Sequence, residues 1–593
     1  MKAPYLTAPY RSRELTEVFG GYDHRDRGQT GTLYDECNMT ADSYPALAVR
    51  RPRGVVRTLA SPQALTEKDA LCWVDGADLY CNGSRVPGLT LSTLPGMCPK
   101  TLVSMGAYIV IFPDKVYYNT ADPEDKGYLE ADNSVTLSAT AKLSVSMCRS
   151  DGTGYGTVTA SPTAPVSPTA GQYWLDTSGE SCTLRQWAAA TSVWTAVVST
   201  FVSLSCPGIG LGLARGDGVD ISLSGVTDLP QEVSALLSGA IIEKVTDGMV
   251  VIPGIISGVY TFQGGTFRIR RSVPEMDFVT ESENRLWGCR YGTDGQGNTL
   301  NEIYCCAQGD FRNWRRYAGI STDSYAVTVG TDGAWTGAVT YRGIPTFFKE
   351  NYIHKVYGSY PAEYSTVTTA CPGRGVAKGC GDSLKIVSGR LMYKAAGEVV
   401  SYDGSLPQPV SEVFGGESYS DASAGVLGDK YYVNMKSPEG DWKTMVYDSS
   451  RGLWHVEDGG RLRFWCTAGA ELYAVDDAGR LISVTGGSGT PEQGPEWFCQ
   501  TGNMGFDTPD AKYPSRINLR LQLQPGARAD VYIQYDSDGV WRRVANAEYH
   551  SLFSVTVPVF PRRCDHFSLK ISGRGGCRIY SLVKVTEYGG DGP

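Results

Sequence analysis

No run of about 18 apolar residues occurs in the 593-residue chain, so the sequence predicts no membrane-spanning helix. The opening Met1-Lys2-Ala3-Pro4-Tyr5 lacks the apolar core of a signal peptide, and export by that route is not expected. Charged residues make up only 20% of the chain, without the spaced charge pairs of long helices, which excludes a helical bundle. Histidine is scarce: His24, His354, His455, His550 and His566 stand apart from one another, with no partner at metal or triad spacing. There is no Gly-x-Ser-x-Gly and, among 16 cysteines, no Cys-x-x-Cys, so a nucleophile elbow and a zinc site both lack support. No catalytic, cofactor-binding or metal-binding residue is therefore predicted. A formal net charge of -9 and a pI near 5.3 exclude a global basic field for nucleic acid. The cysteines sit in apolar strands (Cys72, Cys289, Cys466) or side by side (Cys305-Cys306). That placement predicts reduced, buried thiols in a protein made in a cytoplasm.

What is abundant is glycine and tyrosine, 70 and 35 residues, the composition of many turns and aromatic strands; the predicted class is mainly β. The clearest unit is the hairpin Ser383 to Lys394, whose alternating apolar residues flank a Ser388-Gly389 turn. Gly425 to Val433 and Phe464 to Ala474 repeat it. Their turn glycines 389, 428 and 469 are spaced by about 40 residues, the length of one four-stranded propeller blade. Looser copies precede them at Leu71 to Tyr80, Leu102 to Ile111, Phe278 to Gly288 and Tyr341 to Lys349. The expectation is a β-propeller of about six or seven blades, with a β-sandwich or β-solenoid as the competing arrangement.

The blade rhythm divides the chain into an N-terminal arm (1–66), first blades (67–119), an inserted β-rich domain (120–258), remaining blades (259–486) and a C-terminal β-sandwich (495–593). The insertion begins with a Pro-rich tract, Ala160 to Gly171, expected to be extended. A short module with Tyr173, Trp174, Trp187 and Trp194 follows, whose aromatic faces could meet a glycan or protein partner or form the module's own core. Pro207 to Leu213 is Gly-rich but lacks the Lys-Ser/Thr of a phosphate loop and reads as a connector. Strong alternation after 495 predicts the sandwich, with Pro561-Arg562-Arg563 as a charged loop and Asp536-Ser537-Asp538-Gly539 as a hairpin turn in place of a calcium loop. In the arm, Arg50, Arg51 and Arg53 could clamp an acidic neighbouring subunit or lie in a solvated loop; Arg562 and Arg563 are the matching candidates at the other end.

Two sets of residues carry a family resemblance. The arm runs Asn38-Met39-Thr40, Tyr44-Pro45, then Arg50 to Arg53. The blades carry Arg285-Leu286-Trp287-Gly288, Glu302-Ile303-Tyr304, Gly309-Asp310, Asn313-Trp314, Phe347-Phe348-Lys349-Glu350-Asn351, Val446-Tyr447-Asp448 and Leu453-Trp454-His455. Over residues 1–115 and 268–593 this resembles the propeller-type tail nozzle or hub proteins of bacteriophages. The resemblance implies a structural virion protein, made in the bacterial host cytoplasm, that forms a homo-oligomeric, hexameric ring below the head-tail connector. It also implies contacts with adaptor and other tail proteins and with tail fibres, transient non-specific contact with DNA leaving through the channel, and no enzymatic turnover. Two alternatives stay open: a receptor- or glycan-binding tail protein using the aromatic insertion, and a propeller-type hydrolase using paired carboxylates.

Overall fold

The structure, a computed structural model, describes residues 10–93, 99–505, 511–548, 551–559 and 562–588. The opening pentapeptide, His550 and Pro561 lie outside the described residues. Nearly all regular structure among them is β, in small and mostly antiparallel sheets; one short helix, Gln231–Ser234, and two 3-10 turns complete it.

Seven sheets carry the repeat. Their strands fall within 62–85, 101–128, 278–328, 337–370, 385–409, 420–457 and 462–483, and within each the strands pair in chain order. The hairpin at Ser388-Gly389 shows why the sequence folds this way. Both turn residues have positive φ, 47° and 78°, the twist that brings Lys385–Val387 antiparallel to Arg390–Lys394 without splaying them. The first strand of each sheet touches the first strand of the next; only between Gly337–Tyr341 and Lys385–Val387 does the 3-10 turn Gly381–Ser383 mediate. The cycle closes where Leu462–Ala468 meets Pro62–Lys68. The last unit supplies three strands of its own, and its fourth is Gly54–Thr58, antiparallel to Arg480–Ser483. Large aromatics fill the seams between units. Trp454, about 2% exposed, donates its indole N–H to Val410 O at 2.6 Å and meets Phe414 edge-on.

The arm does not stand free. Tyr10–Thr16 and Leu47–Val49 pair with Cys577–Tyr588, and Leu33–Cys37 pairs with Glu496–Thr501, so the arm completes both sheets of the C-terminal unit. Those sheets, of six and five strands, enclose a core of Leu519, Leu521, Val531, Ile533, Phe567 and neighbours. Strand alternation puts every second residue into that core, as the sequence pattern implied.

Between Ala131 and Arg271 two further sheets pack around a separate core that includes Val145, Leu204, Val250, Phe267 and Ile269. A third sheet, Val158 to Ala196, is nested inside it. Here the Pro-rich tract departs from the expected extended spacer. Val158–Ser161 is a strand lying parallel to Tyr173–Asp176, so the prolines that follow line a loop that doubles back. All fifteen described cysteines are free thiols, twelve of them buried.

Entry and exit of the insertion are directly paired, Ala131 opposite Arg271, so its removal leaves a gap a short joint can span. Replacing residues 131–271 by a Gly/Ser joint is expected to give a soluble protein that keeps its near-UV circular dichroism. Aggregation with loss of that signal would show that the ring depends on the insertion.

Candidate interface sites

The arginines of the arm meet the rest of the chain at one place. Asn38 lies in the left-handed region, φ 62°, which asparagine tolerates, and so turns the chain sharply between Leu33–Cys37 and Met39–Thr40. Its amide then joins three segments. Nδ2 donates to Glu496 O at 2.7 Å, and Oδ1 accepts from Arg50 Nε at 2.7 Å and from Asp458 N at 3.0 Å. Arg50 Nη1 donates to Glu492 Oε1 at 2.5 Å and Nη2 to Asp458 Oδ1 at 3.0 Å. Arg53 Nη2 reaches Glu457 Oε2 at 2.6 Å, and Nη1 pairs with Asp458 Oδ1 at 2.9 Å. Beside them Glu36 Oε1 accepts from Val456 N at 3.0 Å and pairs with His455 Nδ1 at 2.9 Å, both side chains buried. Burial pushes the Asp458 carboxyl up, but Arg53 and Arg50 outweigh it and hold the group below the usual carboxylate range.

This corrects the expected role of two residues. Arg50 is 5% exposed and Arg53 is largely buried, so the acidic surface they clamp belongs to their own chain and joins the C-terminal unit to the sixth repeat. Arg51 alone of the three is exposed. It lines a cavity of about 560 Å³ with Lys430, Asp429 and Arg451, of which Lys430 pairs with Asp42 and Arg451 with Asp448.

In the nested module, Trp174 is buried and donates its indole N–H to Ser161 O at 3.0 Å. Trp194 stands 5.4 Å from both Trp174 and Trp187, tilted by 66° and 59°, so the three rings interlock and do not form one flat platform. Trp174 is therefore core, whereas Trp187, Trp194 and Tyr173 are half-buried. Arg149 lies over the Tyr155 and Tyr173 rings. Arg562 and Arg563 are exposed on the C-terminal unit. Arg562 lies 3.4 Å from Asp538 Oδ2, which Arg542 holds at 2.8 Å, and the Asp536-Ser537 pair has the positive φ of a turn.

Sequence reading missed a second basic surface. On the outer face of the six-stranded sheet, Arg13 and Arg516 flank Val585, while Arg520 lies opposite Ser581 and Ser554. Arg578 lies across from Gln522. All four are exposed, and none forms an ion pair among the described residues. Exposed Leu15 and Leu552 share the face, and Glu587 at its margin is already held by Arg11 at 2.7 Å. The alternation of the strand was legible; that its outward positions were arginines with no acidic cross-strand partner was the unread signal.

Two buried basic groups elsewhere are held by hydrogen bonds within the chain. Lys349 donates to Asn301 Oδ1 at 2.9 Å and Thr331 O at 2.7 Å, and burial lowers it to about 8. His354, lowered by burial to about 4, bridges Thr331 Oγ1 and Thr368 Oγ1. Among the described residues no group of three His, Cys, Asp or Glu side chains is placed to hold a metal ion.

Replacing Arg50 by Ala leaves Glu457, Asp458 and Glu492 facing one another. Breaking a buried pair costs about 3–5 kcal/mol, and the lower end applies because Asp458 and Glu492 reach solvent. The expected readout is a lower urea midpoint. The depressed Asp458 contributes stability above the ordinary carboxylate range, near pH 4, and loses it as pH falls through its own lower value. The gap between native protein and Arg50→Ala should therefore narrow below about pH 4; a constant gap would show that Arg50 acts through packing.

No family model matches the chain, and no curated protein matches it. Solved structures similar to parts of it include a glycoside hydrolase family 43 arabinoxylan arabinofuranohydrolase from Bacillus subtilis (11% identity, 51% of this chain and 94% of that one, TM-score 0.19). The WD40 repeats of RRP9 (8% identity, 59% and 99%, TM-score 0.24) and apo AztD from Citrobacter koseri (8% identity, 86% and 100%, TM-score 0.26) are also similar.

Proposed function

We propose that the seven sheets form a closed seven-bladed propeller, and that the chain is a structural subunit of a bacteriophage tail, of the nozzle or hub kind, assembling into a ring around the DNA exit path. The observation that carries this reading is the contrast between a ring spent on itself and appended parts that are not. The cycle of strand contacts ends where it began, so association must use the C-terminal unit, the arm built into it, or the insertion. The unpaired Arg13, Arg516, Arg520 and Arg578 face suits that task. Residues 495–593 carry twelve Lys and Arg against ten Asp and Glu, which leaves residues 1–494 at -11 of the total -9. A basic sheet face of one copy and an acidic surface of the next would attract and fix register. An overall acidic subunit also keeps a sliding phosphate backbone from adhering. Six copies below the connector is the order the family resemblance implies, with adaptor proteins and fibres as neighbours.

A second reading, glycan or receptor binding by the nested module, has the half-buried Trp187 and Trp194 in its favour. It expects sugar binding that Trp187→Ala removes while the Trp174 core persists.

The ring reading is tested by light scattering and cryo-EM of the purified chain and of tails. A defined ring on the tail axis is expected, and the Arg516→Glu/Arg520→Glu/Arg578→Glu variant should fold with an unchanged thermal midpoint but fall to monomers. Assembly unaffected by the triple change would remove this face from the interface. Trimers at fibre tips bound to host sugar would replace the ring reading with the receptor one.

A further inference from the structure

The first repeat holds two thiols whose placement the proposed function does not use. Cys72 lies on Ala70–Asp75 and Cys81 on Asp78–Cys81, strands joined by the Gly76-Ala77 turn, and the two cysteines are directly opposite in the antiparallel register. Directly opposed residues in such a pair have Cα atoms about 4.5 or 5.5 Å apart, and both spacings fall inside the roughly 4.4–6.8 Å window of a disulfide. The register itself therefore sets no barrier to joining them. Because side chains on facing positions share one side of the sheet, the sulfurs also point the same way. Among the described residues this is the one cysteine pair in direct cross-strand register. Cys305 and Cys306 are neighbours in sequence, with Cys305 in the strand and Cys306 just past its end. Cys499 and Cys577 belong to opposite sheets and are both closed into the C-terminal core.

The two thiols differ in access. Cys72 is fully buried against Val74, Leu79 and Val86, while Cys81 is half-buried at the edge of that cluster. Cys72 Sγ donates to Ala70 O at 3.6 Å. The two thiols titrate as one pair, so solvent access decides which sulfur attacks.

We propose that Cys72 and Cys81 are a thiol–disulfide exchange site that takes a small disulfide of the glutathione class, with Cys81 as the entry sulfur and Cys72 as the resolving sulfur. In the first step Cys81, its proton released to solvent, attacks the small disulfide; a mixed disulfide forms and one small thiolate leaves. In the second step the Cys72 thiolate attacks the Cys81 sulfur, the cross-strand S–S bond forms and the second small thiolate leaves. Both leaving thiolates take up the protons the cysteines gave to solvent. Two electrons pass from the protein pair to the small disulfide, and excess small thiol reverses the reaction.

The location gives the bond a consequence. Pro62–Lys68, which pairs with the Cys72 strand, is also the strand that meets Leu462–Ala468 where the ring closes. A crosslink across Ala70–Cys81 opposes opening of the hairpin that backs this seam. It would form once the protein leaves a reducing cytoplasm.

The test uses the folded full-length chain, exposed to oxidised glutathione, quenched with N-ethylmaleimide, digested and read by mass spectrometry. The expected product is a linked pair of peptides carrying Cys72 and Cys81, lighter by two hydrogens and restored by dithiothreitol. Amide exchange across residues 70–81 should slow in the oxidised form. The Cys72→Ser variant should stop at a glutathione adduct on Cys81, and Cys81→Ser should leave Cys72 unreacted in the folded protein. A native chain that accumulates the Cys81 adduct with Cys72 free would overturn the resolving role. Cys72 modified in Cys81→Ser would overturn the entry role, and no reaction at either sulfur in folded protein would overturn the site.

Discussion

The last of the seven repeats is completed by one pairing of distant segments. Gly54–Thr58 lies antiparallel to Arg480–Ser483, more than 400 residues later, and supplies the fourth strand of the last repeat. A sheet left at three strands would expose its edge there, and the repeats are held in sequence only through neighbours, so the seam would be the first place to open. Gly54–Thr58 runs on into Pro62–Lys68 of the first repeat, so this pairing ties the last sheet to the first where the cycle closes. Gly54 itself is forced by the fit, since a Cβ at that position would stand 1.9 Å from Ser488 O.

That closure explains the placement of the arginines. Once Gly54–Thr58 is fixed in the seventh repeat, the residues just before it must cross from the C-terminal unit, where Leu47–Val49 is paired, to the ring. Arg50 and Arg53 fall in this crossing, between Glu457, Asp458 and Glu492. Two buried guanidinium groups with acids on several sides lock an angle between two bodies, where an apolar contact would permit sliding. The Glu36 and His455 pair lies on the same crossing.

How far the sequence could be read follows from the range of the interactions involved. The hairpins were legible because their signal is local: Ser388-Gly389 and its flanking alternation lie within a dozen residues. The outline of the C-terminal unit was legible for the same reason. What escaped was non-local. Nothing near Gly54 announces a partner at Ser483, and nothing near Arg50 distinguishes a clamp on a neighbouring subunit from a clamp on residue 458. The prolines after Ser161 suggested an extended spacer, yet the parallel partner Tyr173–Asp176 turns the segment back. At the outer face of the six-stranded sheet, Arg13, Arg516 and Arg578 come together only through strands far apart in sequence.

The insertions show how such a ring can acquire new surfaces without reopening. Ala131 faces Arg271 at the base of the inserted unit, and Cys148 faces Phe201 at the base of the module nested within it. Each inserted segment therefore leaves and re-enters its host across a single strand pair, and the host needs no more than a turn at that point. The inserted unit has its own core around Val145 and Phe267, so its stability need not be drawn from the repeats. It is not loosely tethered, however. Asn313 Oδ1 accepts from Gly218 N at 2.8 Å, and Arg315 pairs with Asp220 at 2.8 Å, which fixes the unit against the loop that follows the Thr299–Cys305 strand. The aromatic module is carried on this anchored unit across the pair at Cys148 and Phe201, and variation in that module can change what it touches while the pairing of Gly54–Thr58 stays as it is.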